Sequence, residues 1–409
     1  MRVLLVQSPV GRKETPIYPI GLACLAGSLG DYECSGLDLS LQESPGDALS
    51  SALDVFCPDV VAVSVRNIDD SSYPVTHWYL NSLDEIMGAL ENWKGTVVAG
   101  GAGFSIYPER IMKLWPRIDF AMVGEGEIAL PMLLAHIEGA PAPEWLHNRV
   151  ARPPRPSLED IPLPDYSVFP ASDYPGKGSV GVQTRRGCVF NCAYCTYKSL
   201  SGNGFRLRPV SSVVKDIKEV TRQGFSSFMF VDSVFDYPRA YFIELISALG
   251  ELQSIPAWGA WMSESVPLDS LDVMYKAGCR WVDFSPDVIT EKGWRLMGKS
   301  GSLKQLWPVV KKARATGLTV GINFFSASPG ENLMALIMKF VFMVKARLLL
   351  GWKSTFINIG TIRLYKDAPL SDQLYPGEEL FEPVFYRPRG LADVIVRAFQ
   401  AVRRFHHGS

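Results

Sequence analysis

Three of the seven cysteines fall within one short stretch, Arg185-Arg186-Gly187-Cys188-Val189-Phe190-Asn191-Cys192-Ala193-Tyr194-Cys195. Cys188, Cys192 and Cys195 are spaced Cys-x3-Cys-x2-Cys, and neither helical nor strand periodicity runs through the stretch, which therefore reads as a loop. Thiolates this close on a loop can share a soft metal centre. A closed structural zinc site needs four ligands, and no fourth cysteine or histidine lies nearby. Three thiolates fit an iron–sulfur cluster with one iron left open. The chemistry of that open iron would be this protein's chemistry.

The chain around the triad has 409 residues, enough for two domains with sizeable cores. Its formal net charge of -1 offers no electrostatic case for nucleic-acid binding. An odd, clustered set of cysteines suits a reduced interior and metal binding rather than a disulfide framework. Met1-Arg2-Val3-Leu4-Leu5-Val6 runs straight into a strand-like segment and lacks the features of a signal peptide. These features predict a cytoplasmic enzyme. Leu333 to Trp352 is apolar but interrupted by Lys339, Lys345 and Arg347, so it predicts a buried helix rather than a membrane span.

Residues 1–139 alternate strands and helices, the signature of a parallel sheet wrapped by helices. Strands are expected at Val3–Gln7, Glu33–Asp38, Val60–Val65, Thr96–Ala99 and Phe120–Val123. Helices are expected at Ile20–Leu29, Asp47–Phe56, Leu80–Trp93, Pro108–Trp115 and Glu127–Glu138. Ligands bind such sheets beyond the carboxyl ends of the strands, which directs attention to three loops. One follows Gln7, one holds Ser64 and Arg66, and one contains Gly100, Gly101 and Gly103. A second glycine turn, Gly124-Glu125-Gly126, follows the fifth strand. Paired glycines let a backbone approach a large ligand, and a tight strand-to-helix turn accounts for them equally well. Arg66 either faces a ligand or pairs with Asp69 or Asp70. Cys24, Cys34 and Cys57 do not fall on converging loops and read as buried small apolar residues.

Residues 140–176 are crowded with proline and mark a linker. In residues 177–366, strands are expected at Val180–Thr184, Phe228–Asp232, Ala257–Met262, Trp281–Ser285, Val320–Ser326 and Phe356–Ile362. The cysteine loop follows the first of these, and Asp232, Glu264 and Asp287 lie at or just beyond the ends of the next three. In barrels of this kind chemistry gathers at the carboxyl ends of strands. Arg206 and Arg208, in Arg-x-Arg-Pro, read either as surface charge or as part of a site. Ser328-Pro329-Gly330-Glu331 is expected to start a helix with Glu331 in its first turn. Residues 367–409 form an extension whose Leu391–Phe405 reads as a basic amphipathic helix, and His406-His407 is too short to be a metal site.

The cysteine spacing, with Tyr194 before Cys195, resembles the radical S-adenosylmethionine (SAM) superfamily. The order of glycine turn, helix, Asp119-Phe120 strand, Gly-Glu-Gly-Glu and helix resembles the cobalamin-binding domain that precedes the radical SAM domain in one large subgroup. The resemblance implies a Rossmann-like α/β domain followed by a partial (β/α)6 TIM-type barrel. It implies a 4Fe-4S cluster on Cys188, Cys192 and Cys195. It places SAM near Tyr194, Asp232, Glu264 and Asp287. It places cobalamin near Ser64, Arg66, Gly100, Gly101, Gly103, Gly124, Glu125 and Gly126. The sequence lacks Asp-x-His-x-x-Gly, so the resemblance implies a cobalt without a histidine below it. After the fourth strand Ser285-Pro286-Asp287 replaces the usual Gly-Ile-Glu-Ser. The activity implied is C-methylation of a small-molecule substrate, with electrons from a donor such as flavodoxin or ferredoxin. Two rivals stay open: a radical ring contraction, cyclisation or rearrangement without methyl transfer, and a non-enzymatic cobalamin sensor or carrier.

Overall fold

The computed structural model describes residues 1–10, 16–387 and 390–398. The chain divides into two compact units, one of residues 1–70, 77–185 and 206–228, the other of 71–76, 186–205 and 229–409.

In the first unit the strands are β1 (Arg2–Gln7), β2 (Glu33–Asp38), β3 (Val60–Ser64), β4 (Thr96–Gly100) and β5 (Phe120–Met122). The intervening helices are α1 (Ile20–Ser28), α2 (Pro45–Phe56), α3 (Ser82–Ala89) and α4 (Pro108–Leu114), and α5 (Ala129–Ile137) follows β5. Val3 to Val6 are essentially inaccessible, as a continuous apolar run in a parallel strand must be when helices cover both faces. The sheet order is β2-β1-β3-β4-β5-β7-β6, where β6 is Leu146–His147 and β7 is Val150–Ala151. Both extra strands lie inside the proline-rich stretch expected to be a linker. β7 runs parallel to β5 and antiparallel to β6, a short hairpin that extends the sheet. Pairing reverses direction through the sheet at β1 and β3, so the loops after these two strands flank a topological switch point.

The rest of the proline-rich stretch is packed against the same unit. The Tyr18 ring meets Tyr166, Phe169, Tyr174 and Phe225 at centroid distances of 5.6, 5.9, 5.2 and 5.4 Å. Tyr174 donates to Asp38 Oδ2 at 2.9 Å, and Tyr166 donates to Asp216 Oδ1 at 2.6 Å. Prolines stop helix and sheet there, but aromatic residues between them supply the apolar area that docks the chain. Asp216, on a later helix of this unit, also receives Arg208 at 2.7 Å, while Arg206 pairs with Glu125. Arg208 is buried and Arg206 half-buried, so the Arg-x-Arg pair is not simply surface charge.

Of the remaining strands, β8 is Val180–Val182, β9 Arg185–Arg186, β10 Arg206–Leu207 and β11 Ser227–Phe230. They are followed by β12 (Ala257–Met262), β13 (Cys279–Asp287), β14 (Thr319–Phe325) and β15 (Thr355–Gly360). The second main sheet has the order β15-β14-β13-β12-β11-β8, strands in chain sequence as an open (β/α)6 arrangement requires. β12 to β15 are parallel throughout. Helices α6 (Tyr197–Ser201), α7 (Val210–Arg222), α8 (Arg239–Gly250), α9 (Leu268–Lys276), α10 (Glu291–Leu296) and α11 (Leu306–Thr316) come between them, and α12 (Leu333–Leu350) precedes β15.

Two expectations in this unit are corrected. Glu331 lies outside α12: the N-cap is Asn332, whose side chain accepts from Met334 and Ala335 N–H. Glu331 instead accepts from Ile289 and Thr290 N–H at 2.7 and 3.1 Å and pairs with Lys339. α12 is also not buried as a whole. Its inner face carries Ala335, Leu336, Lys339 and Ala346, whereas Met334, Val341 and Leu348 are exposed at 61%, 61% and 69%. Lys339 faces inward because Glu331 and the Phe325 carbonyl neutralise and hydrogen-bond it there. Among the described residues no helix is long and apolar enough to cross a membrane.

After β15 come β16 (Ile362–Leu364), α13 (Pro369–Leu374) and β17 (Val384–Tyr386), with β16 and β17 antiparallel. Residues 391–398 are helical, and the remainder of the expected Leu391–Phe405 helix, with His406 and His407, lies outside the described residues. Of the loop after β1, Gly11, Arg12 and Lys13 also lie outside them. Cys24 is buried, Cys34 half-buried and Cys57 exposed, so Cys57 is not the buried small residue expected. It occupies the left-handed C-cap of α2, with φ 47°.

Candidate functional site

The cysteine loop runs from β9 to α6 and is held by its backbone at several points. Cys188 N–H donates to Gly202 O at 3.1 Å, and Ala193 N–H donates to Met297 O at 2.9 Å. Leu370 N–H, at the start of α13, donates to Ala193 O at 2.7 Å, and Ser233 Oγ donates to Gly187 O at 3.0 Å. Gly298 follows α10 at φ +65°, and a Cβ there would collide with the Asn191 carbonyl. The turn after α10 can therefore close on the cysteine loop only as glycine. Cys188, Cys192 and Cys195 are free and half-buried, and Tyr197 N–H points at Cys195 Sγ across 3.4 Å. Burial pushes the Cys192 thiol up to about 12, against the opposing pull of Lys299.

A second constellation sits at the ends of β12 and β13. Asp287 is buried at φ +66°, and the register of β13 with β14 shifts between Phe284 and Asp287, the stretch that contains Pro286. Asp287 Oδ2 accepts from Tyr194 Oη and from Lys299 Nζ, both at 2.8 Å. Lys299 also donates to Ser285 O. Burial alone would lower the lysine pKa, but Asp287 and Glu264 more than offset this and hold Lys299 charged. Tyr194 packs edge-on against Phe325 at 4.8 Å. Glu264 is buried, and its Oε1 has no hydrogen-bond partner among the described residues. Burial raises its carboxyl to about 7, with Lys299 opposing and Asp287 and Asp236 reinforcing. Asp232, just beyond β11, is buried and lies close enough to Tyr197 to act on its hydroxyl electrostatically.

Thus Tyr194, Asp287 and Glu264 share one charged cluster centred on Lys299. Sequence reasoning missed that lysine. Its only signal was a Met297-Gly298-Lys299 turn after the helix that follows β13.

In the first unit, Ser64 and Gly100 pair across β3 and β4, and the Ser64 carbonyl accepts Ser8 N–H at 3.0 Å. Gly101 has φ +102°, and a Cβ on it would stand 2.6 Å from Val65 O. A Cβ on Gly103 would stand 2.9 Å from the Asn67 carbonyl carbon, and Gly103 N–H donates to Arg66 O at 2.9 Å. Close packing of this turn on the loop after β3 is sufficient reason for both glycines. Gly124, at φ +90°, differs: its Cβ direction is open space, and its N–H is held by Ser105 Oγ at 2.9 Å. Glu125 is held by Arg206, and Gly126 accepts the first turn of α5 through Leu130 N–H. Arg66 forms no ion pair with Asp69 or Asp70 among the described residues; its charge is one of several influences that oppose the effect of burial on the Asp38 carboxyl. Arg66 stands half-buried in the loop after β3, at the switch point.

Residues 10–134 match the B12 binding domain family, and residues 182–340 match the Radical SAM superfamily. The chain is a B12-binding radical SAM enzyme. Relatives include an uncharacterized methyltransferase of Pyrococcus horikoshii, 24% identical over 354 residues, spanning 81% of this chain and 75% of the relative. The tryptophan 2-C-methyltransferase of Streptomyces laurentii is 23% identical over 402 residues, spanning 78% of this chain and 66% of the relative. The same fold is seen in the radical SAM methyltransferase TsrM from Kitasatospora setae with cobalamin and a [4Fe-4S] cluster bound. There the TM-score is 0.76 at 21% identity, covering 91% of this chain and 78% of that one.

The cofactors of this enzyme class are a 4Fe-4S cluster, SAM and cobalamin, and this chain's residues fit them. Among the described residues no three histidine, cysteine or acidic side chains gather around one ion position. A cluster places each thiolate on a different iron and does not require that convergence. Among the described residues no further histidine, cysteine or acidic side chain joins the three thiols, so a cluster held by them would keep one iron open. Glu264 Oε1 is a buried acceptor awaiting a donor, and SAM offers an ammonium and ribose hydroxyls. Gly124 opens space beyond the fifth strand of the cobalamin-type sheet.

Proposed function

We propose that this enzyme is a C-methyltransferase acting on a small molecule, drawing its electrons from an external donor of the flavodoxin or ferredoxin type in the reducing cytoplasm. The observation that carries the reading is the succession, in one chain, of a B12 binding domain and a radical SAM domain. All seven cysteines are free, in keeping with a reducing compartment. When bound, the cluster supplies the electron that cleaves SAM, and cobalamin supplies a nucleophilic metal for its methyl group.

The chain's own residues do the positioning. Cys188, Cys192 and Cys195 would hold the cluster on a loop pinned at Gly187, Cys188 and Ala193. Glu264 would accept a SAM hydroxyl or ammonium proton in its buried setting, where a charge-assisted hydrogen bond is strong. Asp232 is the second candidate for the ammonium. Asp287 already receives two donors, so its role is to fix Tyr194 and Lys299 in place. Ser64, Arg66, Gly100, Gly101, Gly103, Gly124, Glu125 and Gly126 would border cobalamin, with Arg66 presenting its cation at the switch point. Residues 1–139 are the cobalamin domain in this reading, and 177–366 the radical SAM domain.

The test is anaerobic reconstitution with iron, sulfide and hydroxocobalamin, followed by SAM turnover. The expected result is stoichiometric cobalamin uptake, SAM consumption and a SAM-derived methyl label in a product. SAM cleavage without cobalamin uptake would refute methyl transfer while leaving radical SAM chemistry in place. Arg66→Ala and Arg66→Lys should change the rate at which bound cobalamin takes label, and an unchanged rate removes the role given to Arg66.

A further inference from the structure

The second unit contains a cavity of about 600 Å³ that none of the cluster or SAM candidates lines. One wall is the loop after β14 and the start of α12, including Ser328 and Leu336. The other is built by the C-terminal segment, through Tyr375 after α13 and Phe385, Tyr386 and Arg387 at β17. Its size is that of small-molecule sites in general, and it opens at the carboxyl end of a barrel strand, where such folds bind substrates.

The C-terminal wall is fixed in place. Arg363 of β16 is buried and donates to Leu380 O and Phe381 O at 3.2 and 3.0 Å, tying β16 to the segment leading into β17. Phe385 packs on Tyr73 at 5.6 Å, and Tyr73 Oη donates to Asp393 Oδ1 at 2.7 Å. Preformed aromatic walls suit a planar apolar body.

Two polar features stand out against those walls. Ser328 is 1% exposed, and its Oγ has no hydrogen-bond partner among the described residues. A hydroxyl buried without a partner costs stability unless a ligand completes it. Arg387 lines the cavity and is exposed to solvent. Its one side-chain hydrogen bond given by the described residues is a long contact to Tyr73 Oη at 3.4 Å. The nearby carboxylate, Asp393, is engaged by Tyr73 and by Arg397 at 2.9 Å. Most of the guanidinium's donors are therefore available to a ligand.

We propose that this cavity binds the acceptor molecule, and that the acceptor is a planar apolar compound carrying one carboxylate. The flat body lies between Tyr375, Phe385 and Tyr386, the carboxylate meets Arg387, and Ser328 takes a polar atom at the inner end. The assignment of acceptor, as opposed to ligand, rests on the methyltransferase reading. It gives the segment after residue 366 the task of selecting substrate.

The test uses the anaerobically reconstituted full chain and equilibrium dialysis with 2-naphthoate and its neutral isostere 2-naphthamide. Naphthoate should bind saturably at one per chain and about threefold tighter than the amide, the effect of a solvent-exposed ion pair. Arg387→Gln should abolish that preference without changing amide binding or iron content. Ser328→Leu, which fills the cavity, should weaken both probes. Arg387 is exposed, so its variant will fold even if Ser328→Leu does not. Equal affinity for acid and amide, an unaltered preference in Arg387→Gln, or no saturable binding would overturn the proposal. Displacement of naphthoate by S-adenosylhomocysteine would also overturn it, by assigning the cavity to SAM. Cobalamin uptake and SAM cleavage, measured on the same preparations, report separately on the methyltransferase reading.

Discussion

Replacing Glu264 by Gln should make the stability of the apoprotein less dependent on pH, and the size of the effect follows from the carboxyl's surroundings. Burial raises this group from its ordinary 4.5 to about 7. Lys299 opposes the rise, while Asp287 and Asp236 add to it. In the window between those values the folded chain binds a proton that the unfolded chain has released. Stability is therefore fully present below the unfolded pKa and is lost as pH rises through the folded one. The loss is about 3 kcal/mol, from the pKa difference at 1.36 kcal/mol per unit. Glutamine carries no such linkage. Urea unfolding of apo wild type and Glu264→Gln, under reducing anaerobic conditions at about pH 5 and about pH 8, measures the difference. The variant should gain about 3 kcal/mol relative to wild type between the two conditions. Lys299→Met, by removing the opposing cation, should push the titration of Glu264 still higher. A wild-type-to-variant difference that stays constant with pH would refute the reasoning, because Glu264 would then titrate alike in both states.

Cys188→Ala, Cys192→Ala and Cys195→Ala should each abolish the iron and sulfide content of reconstituted protein while far-UV circular dichroism is retained. Gly298→Ala should lower iron loading too, although the residue ligates nothing, because its Cβ would push Asn191 and the cysteine loop aside; iron per chain is the readout. Asp216→Ala removes the carboxylate that pairs with buried Arg208 and should cost about 3–5 kcal/mol in urea unfolding. Tyr166→Phe, which removes one donor to the same aspartate, should cost about 1 kcal/mol.

The two parallel sheets were legible because continuous apolar strands alternate with amphipathic helices, and Glu33–Asp38 and Ala257–Met262 appear with the bounds expected. Elsewhere the ends shift by a few residues, since strand termini depend on neighbours that periodicity does not report. The hairpin of β6 and β7 was not legible, because two-residue strands carry no period and sit among prolines. Glu331 was misplaced for a related reason. A glutamate near a helix start looks like a first-turn residue, and only the position of Lys339 shows that it turns back instead.

The sequence by itself determined the cysteine triad and its place after a strand, because ligand type and spacing are local properties of the chain. It also determined the order of the two α/β domains, because hydrophobic period is local. Only the tertiary structure brought Lys299 to Asp287, Tyr194 and Glu264, joined Arg206 to Glu125, and set the C-terminal aromatics across a cavity from Ser328. Charge pairing and cavity walls are made by residues distant in the chain, and burial together with the charges folded beside it decides whether a carboxylate there keeps its proton.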